Sequence, residues 1–260
     1  YKKQIEKLYA AEIKRFAFKP YDLTAKKINT WIESKTADKI KDMIKPVNLE
    51  NTNIAIVNAI YFKGDWQTPF EFELTRDQEF NGKNSKQKVP FMNKSAQFKF
   101  FENAELSIAE MPYMGNDTAM TLVLPKKKTL GELEKNWSAQ KLDEMFSKSK
   151  EELVWIQLPK FELAGDTLDI TQSLLKIGMP DHGNFTRMGV PDFKIQSVLH
   201  KTWLKVDEKG TEAAAATAVM ARAGSAPPKP KIFKADKPFL FVIRELKTGN
   251  WLFVGRVDQL

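Results

Sequence analysis

The chain contains no cysteine in its 260 residues. That absence excludes a disulfide framework, a thiolate metal site and a cysteine nucleophile together. Histidine is almost as scarce: His182 and His200 are the only two. They leave little for an imidazole metal site or an acid–base pair, and neither a metal nor a cofactor is expected. No run of 18 apolar residues occurs, so no membrane span is expected. No G-x-S-x-G nucleophile elbow is present either, which argues against a hydrolase. The first residue is Tyr1, without an initiator Met and without a charged-then-apolar prefix; processing or truncation of a preceding segment is expected.

What is present is an ordinary globular composition, 42% hydrophobic, 11% aromatic and 28% charged, on a chain long enough to bury a sizeable core. Forty-one Lys+Arg against 33 Asp+Glu give a net charge of +8. Lysines such as Lys2, Lys3, Lys86, Lys126 to Lys128, Lys229 and Lys231 are scattered and are not interleaved with aromatics. A nucleic-acid platform is therefore not expected. The excess reads as solubility, with weak glycosaminoglycan binding as a minor option.

Periodicity outlines the elements. Residues 1–9 read as the end of a helix and 10–18 as a short strand. A helix follows from Thr24, its hydroxyl the expected cap, with Ile28, Trp31 and Ile32 on one face and a break at Thr36. Asn53 to Lys63 is β-branched and apolar on both faces, the pattern of a central strand. Short strands are expected near 70–80, 88–92, 97–101, 106–112, 118–124 and 152–158. Amphipathic helices are expected at 129–146 and 166–177, the second capped by Asp166 and ended by Gly178. Residues 238–243 and 251–255 form a hairpin and a core element. Strands and helices without a βαβ rhythm indicate an α+β fold with large antiparallel or mixed sheets, in one domain over residues 1–260.

Val198 to Glu208 alternates cleanly and puts His200 on its apolar side, where a lone histidine is a satisfied core residue. Asn58 is its natural partner, the other polar side chain on an apolar strand face. After Glu208 comes a connection of about 28 residues, long enough to be disordered or functional. A helix is one reading of it: Thr211 caps, the alanines favour it and Gly224 ends it. Only Val219 and Met220 supply apolar bulk, however, so such a helix buries almost nothing. The other reading is a segment of small side chains able to be both exposed loop and buried strand.

At this point the sequence resembles the serpin family. The resemblance is carried by Asn58 to Trp66 (NAIYFKGDW), Leu158 to Phe161 (LPKF), His200-Lys201, Asp207 to Thr217 (DEKGTEAAAAT), and Pro238 to Phe241 with Leu252 to Arg256. It covers essentially the whole chain. It implies a serpin-like α+β fold and a suicide-substrate inhibitor of serine proteases. The protease cleaves an exposed loop within 209–230, forms an acyl-enzyme in a covalent 1:1 complex, and is carried off as the freed hinge inserts into the central sheet. Distortion of its oxyanion hole then stops deacylation.

By matching to the family's motifs, Gly210, Thr211, Glu212, Ala213, Ala214, Ala215, Ala216 and Thr217 are the expected hinge. Asn58 and His200 match the shutter through which the sheet opens. Trp66, Lys160 and Glu208 match the top of the sheet, where Lys160 and Glu208 are expected to pair. Counted forward from Gly210 at the family's usual spacing, the resemblance implies a reactive bond at Gly224–Ser225. Arg222–Ala223 is the alternative suited to a trypsin-like enzyme, and cleavage after Ala223 or Met220 would suit elastase-like or chymotrypsin-like ones. The family's N-terminal helices are not in this sequence. Four Asn-x-Ser/Thr sites, at Asn93, Asn116, Asn136 and Asn184, favour glycosylation and secretion; a monomer is expected. A non-inhibitory serpin-like carrier, storage protein or chaperone is the alternative. Ala213 to Thr217, free of bulky, charged or proline residues, favours inhibition.

Overall fold

The structure is a computed structural model of the chain and describes residues 2–9, 11–14, 17–50, 55–180, 182–185, 190–210 and 229–260. In chain order the first elements are α1 (Lys2–Tyr9), α2 (Tyr21–Lys35), β1 (Ile56–Tyr61), β2 (Arg76–Asn81), β3 (Lys86–Glu102), β4 (Leu106–Pro112) and β5 (Thr118–Pro125). They are followed by α3 (Leu130–Glu134), α4 (Ala139–Phe146), β6 (Lys150–Pro159), β7 (Phe161–Ala164), β8 (Leu168–Asp169) and α5 (Thr171–Lys176). The last are β9 (His182–Phe185), β10 (Val190–Lys194), β11 (Val198–Val206), β12 (Lys231–Lys234), β13 (Phe239–Glu245) and β14 (Trp251–Val257). Two compact units are formed, one from Tyr1–Phe62 and Leu163–Leu204, the other from Lys63–Glu162 and Lys205–Leu260.

In the first unit β1 runs parallel to β11, from Ile56 opposite Val198 to Tyr61 opposite Trp203. The order of this sheet is β1–β11–β7, with β8 also paired to β11. Val57, Ala59 and Tyr61 pack with Leu199 and Trp203 against Ile28 and Ile32 of α2 and against Ile40, Met43 and Ile44. Asn29 ties the segment after α2 in place: its amide donates to the Ile44 carbonyl at 2.9 Å and accepts the Ile44 N–H at 2.8 Å. The doubly apolar pattern of 53–63 suggests a central strand. Among the described residues β1 instead pairs on one side only, and its even-numbered face, with Ile56 and Asn58, stays partly open.

The α2 helix starts at Tyr21, after Pro20, and the expected cap at Thr24 is wrong. Thr24 lies buried inside the helix and its hydroxyl donates to the Ala17 carbonyl at 3.0 Å. The described part of 10–18 forms no strand. The helix expected at 166–177 shrinks to α5, because Leu168 and Asp169 pair with β11 first. Asp169, not Asp166, accepts the Thr171 N–H at 3.0 Å. Gly178 ends the helix with φ +102°, a conformation that suits glycine.

The second unit is an eight-stranded mixed sheet in the order β12–β6–β3–β4–β5–β13–β14, with β2 on β3 and β12 parallel to β6. β3 is one strand of 17 residues where two were expected. Its polar stretch Asn93-Lys94-Ser95 looks like an interruption, but Asn93 lies opposite Gln157 of β6 and is hydrogen-bonded to it at 2.9 Å. The helix expected at 129–146 is two: Thr129 and Glu132 form a capping box on α3, and Ser138 caps α4. Both cover the sheet through Leu130, Leu133, Leu142 and Phe146, packed on Ile108, Val123 and Val242. β13 is buried along most of its length. β14 at the sheet's end buries only Val257 and half-buries alternate positions before it, so the hairpin is a core element on one strand only.

Candidate functional site

The second unit closes around the turn that follows β11. Asp207 and Gly210 form a bridge, with the Gly210 N–H donating to the Asp207 carbonyl at 3.1 Å. Gly210 has φ +107°, and a Cβ built there would lie 2.4 Å from the Gly64 carbonyl oxygen and 2.5 Å from the Trp66 nitrogen. Both the backbone angle and the contact demand glycine.

The facing segment is fastened to that turn by three hydrogen bonds. Trp66 N–H donates to Lys209 O at 3.0 Å, Phe70 N–H to Glu208 O at 2.9 Å, and the Trp66 indole N–H to Asp207 O at 2.9 Å. Trp66 is 2% exposed and stacks on Tyr113, ring centroids 4.5 Å apart and planes inclined by 13°. Burial pushes the Tyr113 phenol well above its ordinary pKa.

Glu208 lies under this corner with 1% of its surface exposed. Lys160 Nζ is 2.8 Å from Oε2 and 3.1 Å from Oε1; its directed hydrogen bond runs to Oε1, leaving Oε2 an ion-pair contact alone. Thr75 Oγ1 donates to the same Oε1 at 2.8 Å. Burial alone would raise the Glu208 pKa. Hydrogen bonds from Lys160, from its own backbone N–H and from Thr75, with the Lys160 charge, outweigh burial and hold the carboxyl below its ordinary value. Lys160 also sits 4.9 Å from the centre of the Phe72 ring.

In the first unit the parallel register sets Asn58 beside His200. Asn58 Oδ1 lies 2.8 Å from His200 Nδ1, so the imidazole donates from that nitrogen. His200 was expected on a buried face and is instead half-buried, because the even face of β1 and β11 is only partly covered among the described residues.

The structure thus brings together Trp66, Lys160, Glu208 and Gly210, and separately Asn58 and His200. Thr211 to Thr217, Arg222, Ala223, Gly224 and Ser225 lie outside the described residues. Of the glycosylation candidates, Asn116 and Asn136 are exposed. Asn93 has both amide hydrogens engaged, with the Leu74 and Phe91 carbonyls, and so offers no free amide for a glycan. Of Asn184 only the backbone, in β9, is described. Sequence reasoning missed Thr75, Tyr113 and Phe72. A hydroxyl 133 residues from its acceptor carries no local signal, and Tyr113 ends an apolar strand like any core aromatic. Among the described residues no cluster of three or more His, Asp or Glu could hold a metal ion.

A mixed sheet, a parallel strand pair and an aromatic and ionic corner at Gly210, after which the sequence turns alanine-rich, fit the serpin architecture. The chain belongs to the serpin family: the family model described as serpin, serine protease inhibitor, matches residues 1–260. An uncharacterized serpin-like protein of Thermococcus kodakarensis is 36% identical over 266 residues, 97% of this chain and 61% of that protein. Serpin B3 of Homo sapiens is 36% identical over 269 residues, 98% of this chain and 68% of that protein. Among solved structures, native tengpin, a thermophilic serpin, matches with a TM-score of 0.83 at 29% identity, over 98% of this chain and 67% of that one. Thyroxine-binding globulin in complex with thyroxine matches with a TM-score of 0.82 at 26% identity, over 99% and 70%. The chain spans about three fifths of the length of the archaeal relatives it matches.

Proposed function

We propose that this chain inhibits a serine protease as a suicide substrate, and is not itself an enzyme. The protease attacks the reactive bond, Gly224–Ser225 or alternatively Arg222–Ala223. The released segment from Gly210 onward then enters the sheet between β1 and β11 while the protease remains esterified. The observation that carries the reading is the seat of Gly210: it is packed on the backbone of 64–66 beside the ion pair of Lys160 with buried Glu208. A run of small residues, Ala213 to Ala216, follows directly in the sequence. Small side chains lower the cost of passing from water into a sheet. Extended, Gly210 to Gly224 spans about 46 Å, enough to move a tethered protein across a domain. In this reading Asn58 and His200 join the two strands that must part, and Trp66, Lys160 and Glu208 hold the turn that ends at Gly210, where the hinge begins in the sequence.

The protein acts as a secreted monomer in this proposal, glycosylated at Asn116 and Asn136, with its net charge of +8 giving weak attraction to glycosaminoglycans. A carrier function is the second reading, favoured by the likeness to a thyroxine-bound globulin. Incubation with trypsin, elastase and chymotrypsin separates the two. An inhibitor gives an SDS-stable adduct and a released C-terminal peptide whose mass begins at Ser225 or Ala223. Cleavage without any adduct sinks the inhibitor reading and leaves the carrier.

A further inference from the structure

One face of the second unit's sheet exposes large apolar side chains among polar ones and carries an unneutralised charge. Across β12, β6 and β3 the residues Ile232, Trp155 and Ser95 are lateral neighbours, and Lys234, Gln157 and Asn93 form the next row. Lateral neighbours point to the same face, as the Gln157–Asn93 hydrogen bond confirms. On that face Trp155 is 38% and Ile232 61% exposed. Beside Trp155 is a groove of about 390 Å³ lined by Leu74, Arg76, Gln78, Asn93, Trp155 and Gln157. Arg76 Nη1 donates to the Thr75 carbonyl at 2.8 Å, and among the described residues the guanidinium meets no carboxylate.

This combination matches the centre of a protein interface better than a resting surface. Trp and Arg dominate interface energetics, and an apolar wall next to a guanidinium suits an apolar side chain flanked by a carboxylate. The connectivity of the chain selects the partner. Ser225 is six residues before Lys231, the first residue of β12, so the bond proposed for attack is tethered within about 20 Å of this strand. A protease domain of about 230 residues has a radius of gyration of about 17 Å, so an enzyme seated on that bond has to meet the surface around β12. It also has a reason to be recognised there. A glycine before the cut fills no specificity pocket, and discrimination among proteases then requires contacts away from the cleaved bond.

We propose that the groove around Trp155 and Arg76, continued by Ile232, docks the attacking serine protease by taking an acidic residue next to an apolar one on the enzyme's surface. The proposal rests on the inhibitor reading, and the test keeps the two apart. The probes are trypsin, elastase and chymotrypsin whose active-site serine is inactivated; they bind without cleaving. Dissociation constants are measured for the chain, for Trp155→Ala and for Arg76→Glu, alongside the association rates of the active enzymes.

The expected result for at least one enzyme is a tenfold or larger weakening by each variant. The loss for Arg76→Glu should shrink at high salt, with urea midpoints unchanged. Arg76 is exposed, so its variant remains informative if Trp155→Ala folds poorly. Covalent adducts formed equally fast by chain and variants, with equal affinity for the inactive enzymes, overturn the docking surface and leave the inhibitor standing. Variant-sensitive binding without adducts does the reverse. No binding to any of the three enzymes overturns both.

Discussion

Lys160 places its ammonium 2.8 Å from the carboxylate of Glu208, a residue 48 positions later in the chain and almost wholly buried. The pair joins the end of β6 to the residue just before the Gly210 turn. Thr75, which precedes β2, completes it from a third segment.

Removing the cation leaves that buried carboxylate with the Thr75 hydroxyl and its own backbone N–H. Lys160→Met is expected to lower stability by about 2 kcal/mol, the scale of a hydrogen bond to a charged group. The urea midpoint of the intact chain measures it. Glu208→Gln, which keeps the shape and an acceptor for Lys160, is expected to cost less.

Acid acts through the same carboxyl. Its folded pKa lies below the ordinary 4.5, so its contribution to stability is present above pH 4.5 and fades as pH falls through the folded value. Exposed Glu12 behaves alike, drawn down to about 2 by hydrogen bonds from Lys35 and then Lys14, so its part fades between pH 4.5 and about 2. Urea midpoints of the chain and of Glu208→Gln, taken from pH 7 to pH 3, should therefore differ most at neutrality and converge below pH 4.5. A gap that widens in acid would contradict the assignment.

Gly210→Ala forces a methyl against the Gly64 carbonyl and the Trp66 nitrogen at a φ that alanine resists. A loss of about 1–3 kcal/mol is expected from the strain, read as a lower thermal midpoint. An unaltered midpoint would mean that the turn moves freely off its seat.

Thr211→Arg tests the insertion step itself. A long cation entering a sheet interior loses its hydration without a partner, so the variant should be cleaved as a substrate. Full-yield SDS-stable adducts from it would show that insertion is not the mechanism.

The parts of the fold legible in the sequence are those whose side chains alternate or recur on one face. β11 matches its pattern from Val198 to Val206, and β4 its range from Leu106 to Pro112. The pairing of Asn58 with His200 follows from two polar residues interrupting two apolar strands. Boundaries failed where a tertiary partner replaced a local signal. Thr24 seemed a cap because it has a hydroxyl, but that hydroxyl is used inside the first unit, on Ala17. β3 seemed broken because the partners of Asn93 lie in β6 and in the segment before β2. The corner near Trp66 was only half visible. Its motif residues stand out, whereas the Asp207 carbonyl and the Tyr113 ring that hold the indole belong to no pattern.

That indole gives the molecule a built-in optical gauge. Trp66 is one of six tryptophans, and its emission is set by a ring shielded from water, stacked on a phenol and anchored through its nitrogen to a carbonyl 141 positions away. Any event that loosens this corner hydrates the ring, shifting its emission to the red and exposing it to iodide quenching. Comparison with Trp66→Phe isolates the signal, and the corner can then be followed in real time without an added label.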